Sequence, residues 1–224
     1  MQREVLDPLG MTRSSFEWRA DLRPATAIGH NTQGQPYPNY LHAETAAAGL
    51  YTTASDLARF AAAAMTGPQG QPAGRAVLSP GTVAEMLTPV VFTDGSVAAG
   101  VTGPLHQTSR GLGYDIDTAP DGTELVWHGG KSRGWEAFFE CHLERREGIV
   151  ILTNSDHGSA FGEPVMDAWY NWLGIGHTDA ARSAEPNDST RKTAALAVAG
   201  LGVLTAILCG GYLTLREYRA KRRP

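Results

Sequence analysis

The sequence predicts an α+β fold, an antiparallel sheet flanked by helices, with one transmembrane helix added near its C-terminal end. Three observations predict it. The apolar runs Leu125-Val126-Trp127, Ala137-Phe138-Phe139 and Ile149-Val150-Ile151-Leu152 are separated by Gly-rich or charged turns, which reads as three antiparallel strands. Helical periodicity lies on either side of them, at Leu57, Phe60, Ala61 and Ala64 and again at Val165, Trp169, Trp172 and Leu173. Residues 193–215 carry no charged side chain and are long enough, as a helix, to cross the hydrocarbon core of a bilayer.

The 224 residues suffice for one ordinary domain and a tail. With 42% hydrophobic and 19% charged residues a packed core is expected and wholesale disorder is not. A net charge of -4 gives no electrostatic footprint for a nucleic-acid partner. Cys141 belongs to the domain and Cys209 to the apolar run, so the two are not expected to form a bridge.

Each element has its own signal. Thr53-Ala54-Ser55-Asp56 opens a helix in the manner of a capping box, and Gly67-Pro68 stops it. Ser79-Pro80 places an N-cap before a proline at the first helical position, and the helix it starts runs over Val83, Met86 and Leu87 and ends before Pro89. Glu144-Arg145-Arg146-Glu147-Gly148 is the expected hairpin loop between the last two strands, with Gly148 available for a positive φ. A final helix is expected from about Glu163 to Leu173, where the folded domain should end.

These signals divide the chain into a domain at 1–176, a juxtamembrane linker at 177–192, a transmembrane helix at 193–215 and a basic tail at 216–224. Arg216, Arg219, Lys221, Arg222 and Arg223 follow the apolar run, whereas Asp179, Glu185 and Asp188 lie before it with fewer cations. The positive-inside rule then expects a single-pass protein of the cell membrane, its C-terminus cytoplasmic and its domain outside. No apolar segment of signal-peptide type follows Met1, so Met1 is expected to be an internal methionine of a longer chain.

Several short patterns point to chemistry. Gly130-Lys131-Ser132-Arg133-Gly134 spells the G-x-S-x-G nucleophile elbow, which needs a helix after the serine; Trp135-Glu136-Ala137-Phe138-Phe139 reads as a strand instead. Gly130-Lys131-Ser132 ends like a P-loop, but Leu125 stands where the first glycine is required. The seven histidines show no close metal-ligand spacing, and neither a metal nor another cofactor is expected. In Trp127-His128-Gly129-Gly130-Lys131 a strand carries a histidine into paired glycines, where a ligand can approach the backbone and exposed N–H groups can hold an acyl oxygen. The same stretch also reads as a glycine-rich hairpin turn.

The order of five segments is more specific than any one of them. Leu6-Asp7-Pro8-Leu9-Gly10-Met11, residues 48–60 from Ala-Gly-Leu-Tyr to Ala-Arg-Phe, Gly111-Leu112-Gly113-Tyr114, His128-Gly129-Gly130 with Gly134 after it, and Ile149-Val150-Ile151-Leu152-Thr153-Asn154 together resemble the serine β-lactamase-like family, in its class C-like branch with penicillin-binding proteins and esterases. The resemblance covers roughly residues 1–173 and implies a β-lactamase/transpeptidase-like fold with its N-terminal part missing. It also implies a serine hydrolase of acyl-enzyme type, in which the serine of an S-x-x-K motif attacks a carbonyl, a Y-x-N tyrosine and the motif lysine move protons, and a K-T-G or H-x-G strand binds the substrate. On that pattern His128, Gly129, Gly130 and Lys131 are the substrate-binding residues, and the Lys131 backbone N–H is an oxyanion donor. The implied partner is a small-molecule or peptide acyl substrate, a β-lactam, a D-Ala-D-Ala peptide or an ester, beside the lipid bilayer that holds the tail.

The sequence departs from the family in one place. S-x-x-K and Y-x-N precede the L-x-P-L-G-M segment in the family, and here that segment starts at Leu6. Ser189-Thr190-Arg191-Lys192 matches S-x-x-K by spelling but lies at the membrane edge, and Tyr37-Pro38-Asn39 matches Y-x-N out of order in a Gly/Pro-rich loop. No catalytic nucleophile is therefore assigned within the 224 residues, and the chain reads as a fragment inactive alone. The competing reading is a non-catalytic, membrane-tethered binding module that keeps the cleft.

Overall fold

The computed structural model describes residues 1–38, 40–90, 108–119 and 121–175. Residues Met1–Thr178 form one compact unit. The expected linker, membrane helix and basic tail lie outside the described residues, and among those described no helix is long and apolar enough to cross a membrane.

The centre of the unit is a five-stranded antiparallel sheet in sequential order: β1 (Thr108–Arg110), β2 (Asp115–Thr118), β3 (Glu124–Ser132), β4 (Trp135–His142) and β5 (Glu147–Thr153). The three expected strands are β3, β4 and β5. Their neighbours β1 and β2 carry no such signal, because Asp115-Ile116-Asp117-Thr118 offers one large apolar residue between two aspartates, a residue type that strands disfavour. Both aspartates are nonetheless buried: Asp115 pairs with Arg110 at 2.9 Å, and Asp117 accepts the Thr108 hydroxyl at 2.7 Å.

Alternation along β3 sends Val126 to one face and Leu125 to the other, and the two faces meet different helices. After a one-turn helix α1 (Thr45–Ala48), helix α2 (Ala54–Ala62) lays Ala61 and the flanking Met65 against Tyr114, Ile116, Val126, Phe139 and Cys141, with Leu57 and Phe60 at the margin. Its start is the one the sequence announces: the Thr53 hydroxyl accepts from the Asp56 N–H. Helix α3 (Pro80–Met86) is capped in the same way by Ser79, and the Met86 carbonyl accepts the Leu112 N–H, tying α3 to the turn before β2. On the opposite face, helix α4 (Gly158–Leu173) places Tyr170 and Leu173 on Leu125 and Ala119. The result is helix, sheet, helix in three layers.

Two expectations need correction. Helix α4 begins five residues before Glu163, so Pro164 lies inside it rather than at its start. The carbonyl that Pro164 leaves without a donor belongs to Ala160, on the exposed side where solvent reaches it, and the first turn is held because Gly158 lets the backbone pass against Thr153 and Glu136. In the β4–β5 hairpin the residue with positive φ is Arg146 (φ 57), not Gly148. Gly148 is already in β5 opposite Cys141, where a Cβ would stand 3.0 Å from the Glu140 carbonyl oxygen and 3.2 Å from the Cys141 sulfur. The glycine serves strand packing and not the turn.

The core also holds a carboxylate. Glu140, fully buried on β4, accepts the Trp169 indole N–H at 2.7 Å and the Tyr170 hydroxyl at 2.8 Å, both from α4. Burial pushes its pKa up to about 7, against the two donors, which lower it, and with the nearby Asp117 raising it further. Asp56 is equally buried and holds the N-terminal segment, accepting from the Arg13 N–H, the Ser14 hydroxyl and the Arg59 guanidinium at 2.7–2.8 Å.

Candidate active-site edge

Strand β3 changes environment halfway along. From Leu125 to Trp127 it lies between β2 and β4, with Trp127 opposite Asp115 on one side and Glu140 on the other. From His128 to Ser132 it pairs only with β4, because β2 begins at Asp115 and the chain before it turns away through Gly111-Leu112-Gly113. Half of β3 is thus an edge within the described residues.

The register decides which groups this edge presents. Ser132 and Trp135 close a two-residue hairpin and must form a hydrogen-bonded pair, so by alternation Gly130 and His128 also bond to β4 while Gly129 and Lys131 turn their N–H and C=O outward. The pairing of Trp127 with Asp115 gives the same parity from the other end. Gly129 and Lys131 therefore offer two outward N–H donors, two residues apart, on an open strand edge.

The side chains of this segment are small or turned aside. A Cβ at Gly130 would meet nothing within 4 Å, and one at Gly129 would make only ordinary contacts at 3.6 Å, so the protein's own packing does not demand glycine at either position. His128 is exposed and shares the α2 face with Val126 and Gly130. The Lys131 ammonium is drawn across to Glu136 on β4, whose other oxygen accepts the Ser159 hydroxyl at 2.7 Å from the first turn of α4. Both glycines are mid-strand, so the stretch is not a hairpin turn. The turn is Arg133-Gly134, with Gly134 at φ 79.

That turn is fastened from outside. Asp156 accepts the Gly134 N–H at 2.6 Å and the Tyr37 hydroxyl at 2.7 Å, Tyr40 donates to the Arg133 carbonyl at 2.8 Å, and the Arg133 guanidinium lies over the Tyr37 ring. The Tyr37 bond and the Gly134 N–H hold the Asp156 carboxyl below its ordinary range, and the same carboxylate raises the Tyr37 phenol. Gly29 is in contact with Trp135, and the Ile28 carbonyl accepts the Asn154 side-chain amide at 2.7 Å, so the loop before Tyr37 is stitched to the end of β5.

Each sequence candidate now has a place. His128, Gly129, Gly130 and Lys131 lie together on the open edge. Tyr37 lies at the hairpin tip with its hydroxyl committed to Asp156, while Asn39 and Ser189-Thr190-Arg191-Lys192 lie outside the described residues. Ser132 is followed by β4 and not by a helix, which removes the nucleophile-elbow reading. The fastening by Asp156 and the Lys131–Glu136–Ser159 chain escaped the sequence reading, since they depend on strand pairing and on how α4 and the loop at Tyr37 pack, and no local pattern marks these. Among the described residues no group of three or more His, Cys, Asp or Glu could hold a metal ion.

A five-stranded antiparallel sheet between helices, with an open glycine-bearing edge, places the chain in the β-lactamase/transpeptidase class of folds. The octameric penicillin-binding protein homologue from Pyrococcus abyssi superposes with a TM-score of 0.61 at 22% identity, over 78% of this chain and 37% of that one. The beta-lactamase/D-alanine carboxypeptidase from Pseudomonas syringae superposes with a TM-score of 0.56 at 17% identity, over 83% of this chain and 53% of its own. In sequence, the human protein described as "Putative beta-lactamase-like 1" is 28% identical over 195 residues, 87% of this chain and 36% of that protein. This chain thus spans about a third of the length of that curated relative. The beta-lactamase family profile matches residues 1–181, and the chain belongs to the beta-lactamase family.

Proposed function

We propose that the chain is part of a membrane-anchored serine hydrolase of acyl-enzyme type, and that β3 binds the acyl substrate through His128, Gly129, Gly130 and Lys131. The observation that carries the reading is the outward pair of N–H groups at Gly129 and Lys131, on an edge whose glycines the protein's own packing does not need. A carbonyl laid against that edge can take a hydrogen bond from the Lys131 N–H. A donor already in place where negative charge develops stabilises the tetrahedral state more than the ground state. The imidazole of His128, one residue before the glycines, can contact a polar group on the substrate. On this reading the attacking serine and the proton-moving pair come from chain beyond these 224 residues, and the substrate class is a β-lactam, a D-Ala-D-Ala peptide or an ester.

The anchoring half of the proposal is supported by the uncharged run at 193–215 and the basic tail after it. It puts the domain outside the cell membrane, with 177–192 as linker.

The test is covalent labelling with a fluorescent penicillin and, separately, a fluorophosphonate, followed by peptide mapping. It is run on the 224-residue protein and on a form extended by the in-frame coding sequence upstream. The expected result is no label on the shorter form and a labelled S-x-x-K serine in the longer one. Label on neither form, with the upstream sequence lacking the motif, establishes the binding-module reading. Label on Ser132 or Ser189 overturns the assignment of the nucleophile.

A further inference from the structure

Helix α4 has a face that the described residues leave bare. Met166, Tyr170 and Leu173 turn toward the sheet. Phe161, Pro164, Val165, Ala168 and Trp172 recur at spacings of three and four on the other side, an uncharged stripe about 16 Å long at 1.5 Å per residue. Phe161 is 57% exposed and Trp172 59%, the most exposed large aromatics of the described domain.

The chemistry of the stripe is that of a water–lipid boundary. At its C-terminal end Trp172 stacks on Trp169 at 5.3 Å, and the Arg145 guanidinium lies over the Trp172 ring at the same distance. Indole rings with a cation beside them suit the headgroup level, where one part of the side chain is wet and the other apolar. Asn171 borders the stripe, and the exposed carboxylates Glu163 and Asp167 lie further round the helix, so charge stays off the stripe itself.

The course of the chain identifies the occupant. The polypeptide leaves α4 through Gly174 in the left-handed conformation and Ile175, and the uncharged run begins at residue 193. Fully extended, the residues between reach about 60 Å at most. A tether of that length keeps α4 at high effective concentration beside lipid, so a stripe too small to hold a membrane alone is sufficient. We propose that the outer face of α4 is an interfacial docking surface that rests on the bilayer in which the same chain is anchored. The inference rests on the anchoring reading above.

The experiment uses the full chain in phosphatidylcholine vesicles whose acyl chains are brominated near the headgroup. Extraction with alkaline carbonate reads the anchor, and quenching of tryptophan emission reads the docking. The wild type is expected to resist extraction and to be quenched, W172F to lose most of the quenchable emission, and F161D/A168D to resist extraction but lose the quenching of Trp172. Both aspartates enter at exposed positions, so the core is untouched. Resistance to extraction with no emission quenched through Trp172, or with quenching that survives F161D/A168D, overturns docking and leaves the anchor standing. Release by carbonate overturns the anchor and the docking with it.

Discussion

The phenol of Tyr170 donates to the carboxyl of Glu140 across the interface between α4 and β4, at 2.8 Å, with both side chains fully buried. The Trp169 indole completes the grip on the other oxygen. One acidic group thus fastens the last helix to the sheet. Its raised pKa makes the fastening depend on pH: the folded state favours the proton, so the native protein binds more protons than the unfolded chain between about pH 4.5 and 7. This contribution is complete below the unfolded value and is lost as pH rises through the folded one. The two values bound the loss at up to about 3 kcal/mol. Urea melts across this window are expected to show stability falling with pH, and Glu140→Gln to flatten that segment of the profile.

Asp56 is the second buried carboxylate, and its partners are fixed by folding. Asp56→Ala strands the Arg13 N–H, leaves the Ser14 hydroxyl with Thr52, and is expected to cost about 3 kcal/mol. Arg59→Ala removes a half-exposed partner of the same group and should cost under about 1 kcal/mol. The contrast, read by chemical denaturation, separates the backbone tie from the ion pair.

At the β3–β4 turn, Gly134→Ala meets both a positive φ and the Tyr37 ring, 2.7 Å from the new Cβ. A loss of at least about 2 kcal/mol is expected from these together. Tyr37→Phe deletes the bond to Asp156 but keeps the ring beneath Arg133. It is expected to lower the thermal midpoint while leaving penicillin labelling of the extended protein unchanged. Loss of labelling with the fold intact would return Tyr37 to the list of proton-moving groups.

Gly130→Ala tests the open edge. Because a Cβ there meets empty space, stability should stay within about 0.5 kcal/mol of the wild type. Penicillin labelling of the extended protein should slow by about tenfold or more, equivalent to roughly 1.4 kcal/mol. Equal labelling rates would remove this edge from the substrate path.

Much of the architecture was legible because its signals are local. Thr53 and Ser79 mark helix starts by what their own hydroxyls accept, and β3, β4 and β5 announce themselves by apolar runs. The missed parts depend on distant partners. Asp115 and Asp117 look like loop residues until Arg110 and Thr108 are beside them, and Glu140 reads as the polar side of a strand until Trp169 and Tyr170 arrive from thirty positions away. Helix α4 starts earlier than the sequence suggests because the cause, the fit of Gly158 against Thr153 and Glu136, is tertiary. At the candidate site, spelling and order single out His128 to Lys131, which lie together on β3. Their outward geometry was not legible, since parity comes from the Ser132–Trp135 closure and the Trp127–Asp115 pairing.

That the sheet loses β2 beyond Asp115 has a consequence for how such proteins diverge. The edge is made by a strand that stops, and what it exposes are peptide groups, which every residue except proline possesses. Substitution can therefore rewrite the letters at 128–131 while the two donors stay in register, provided the turn keeps its length and β2 keeps its end.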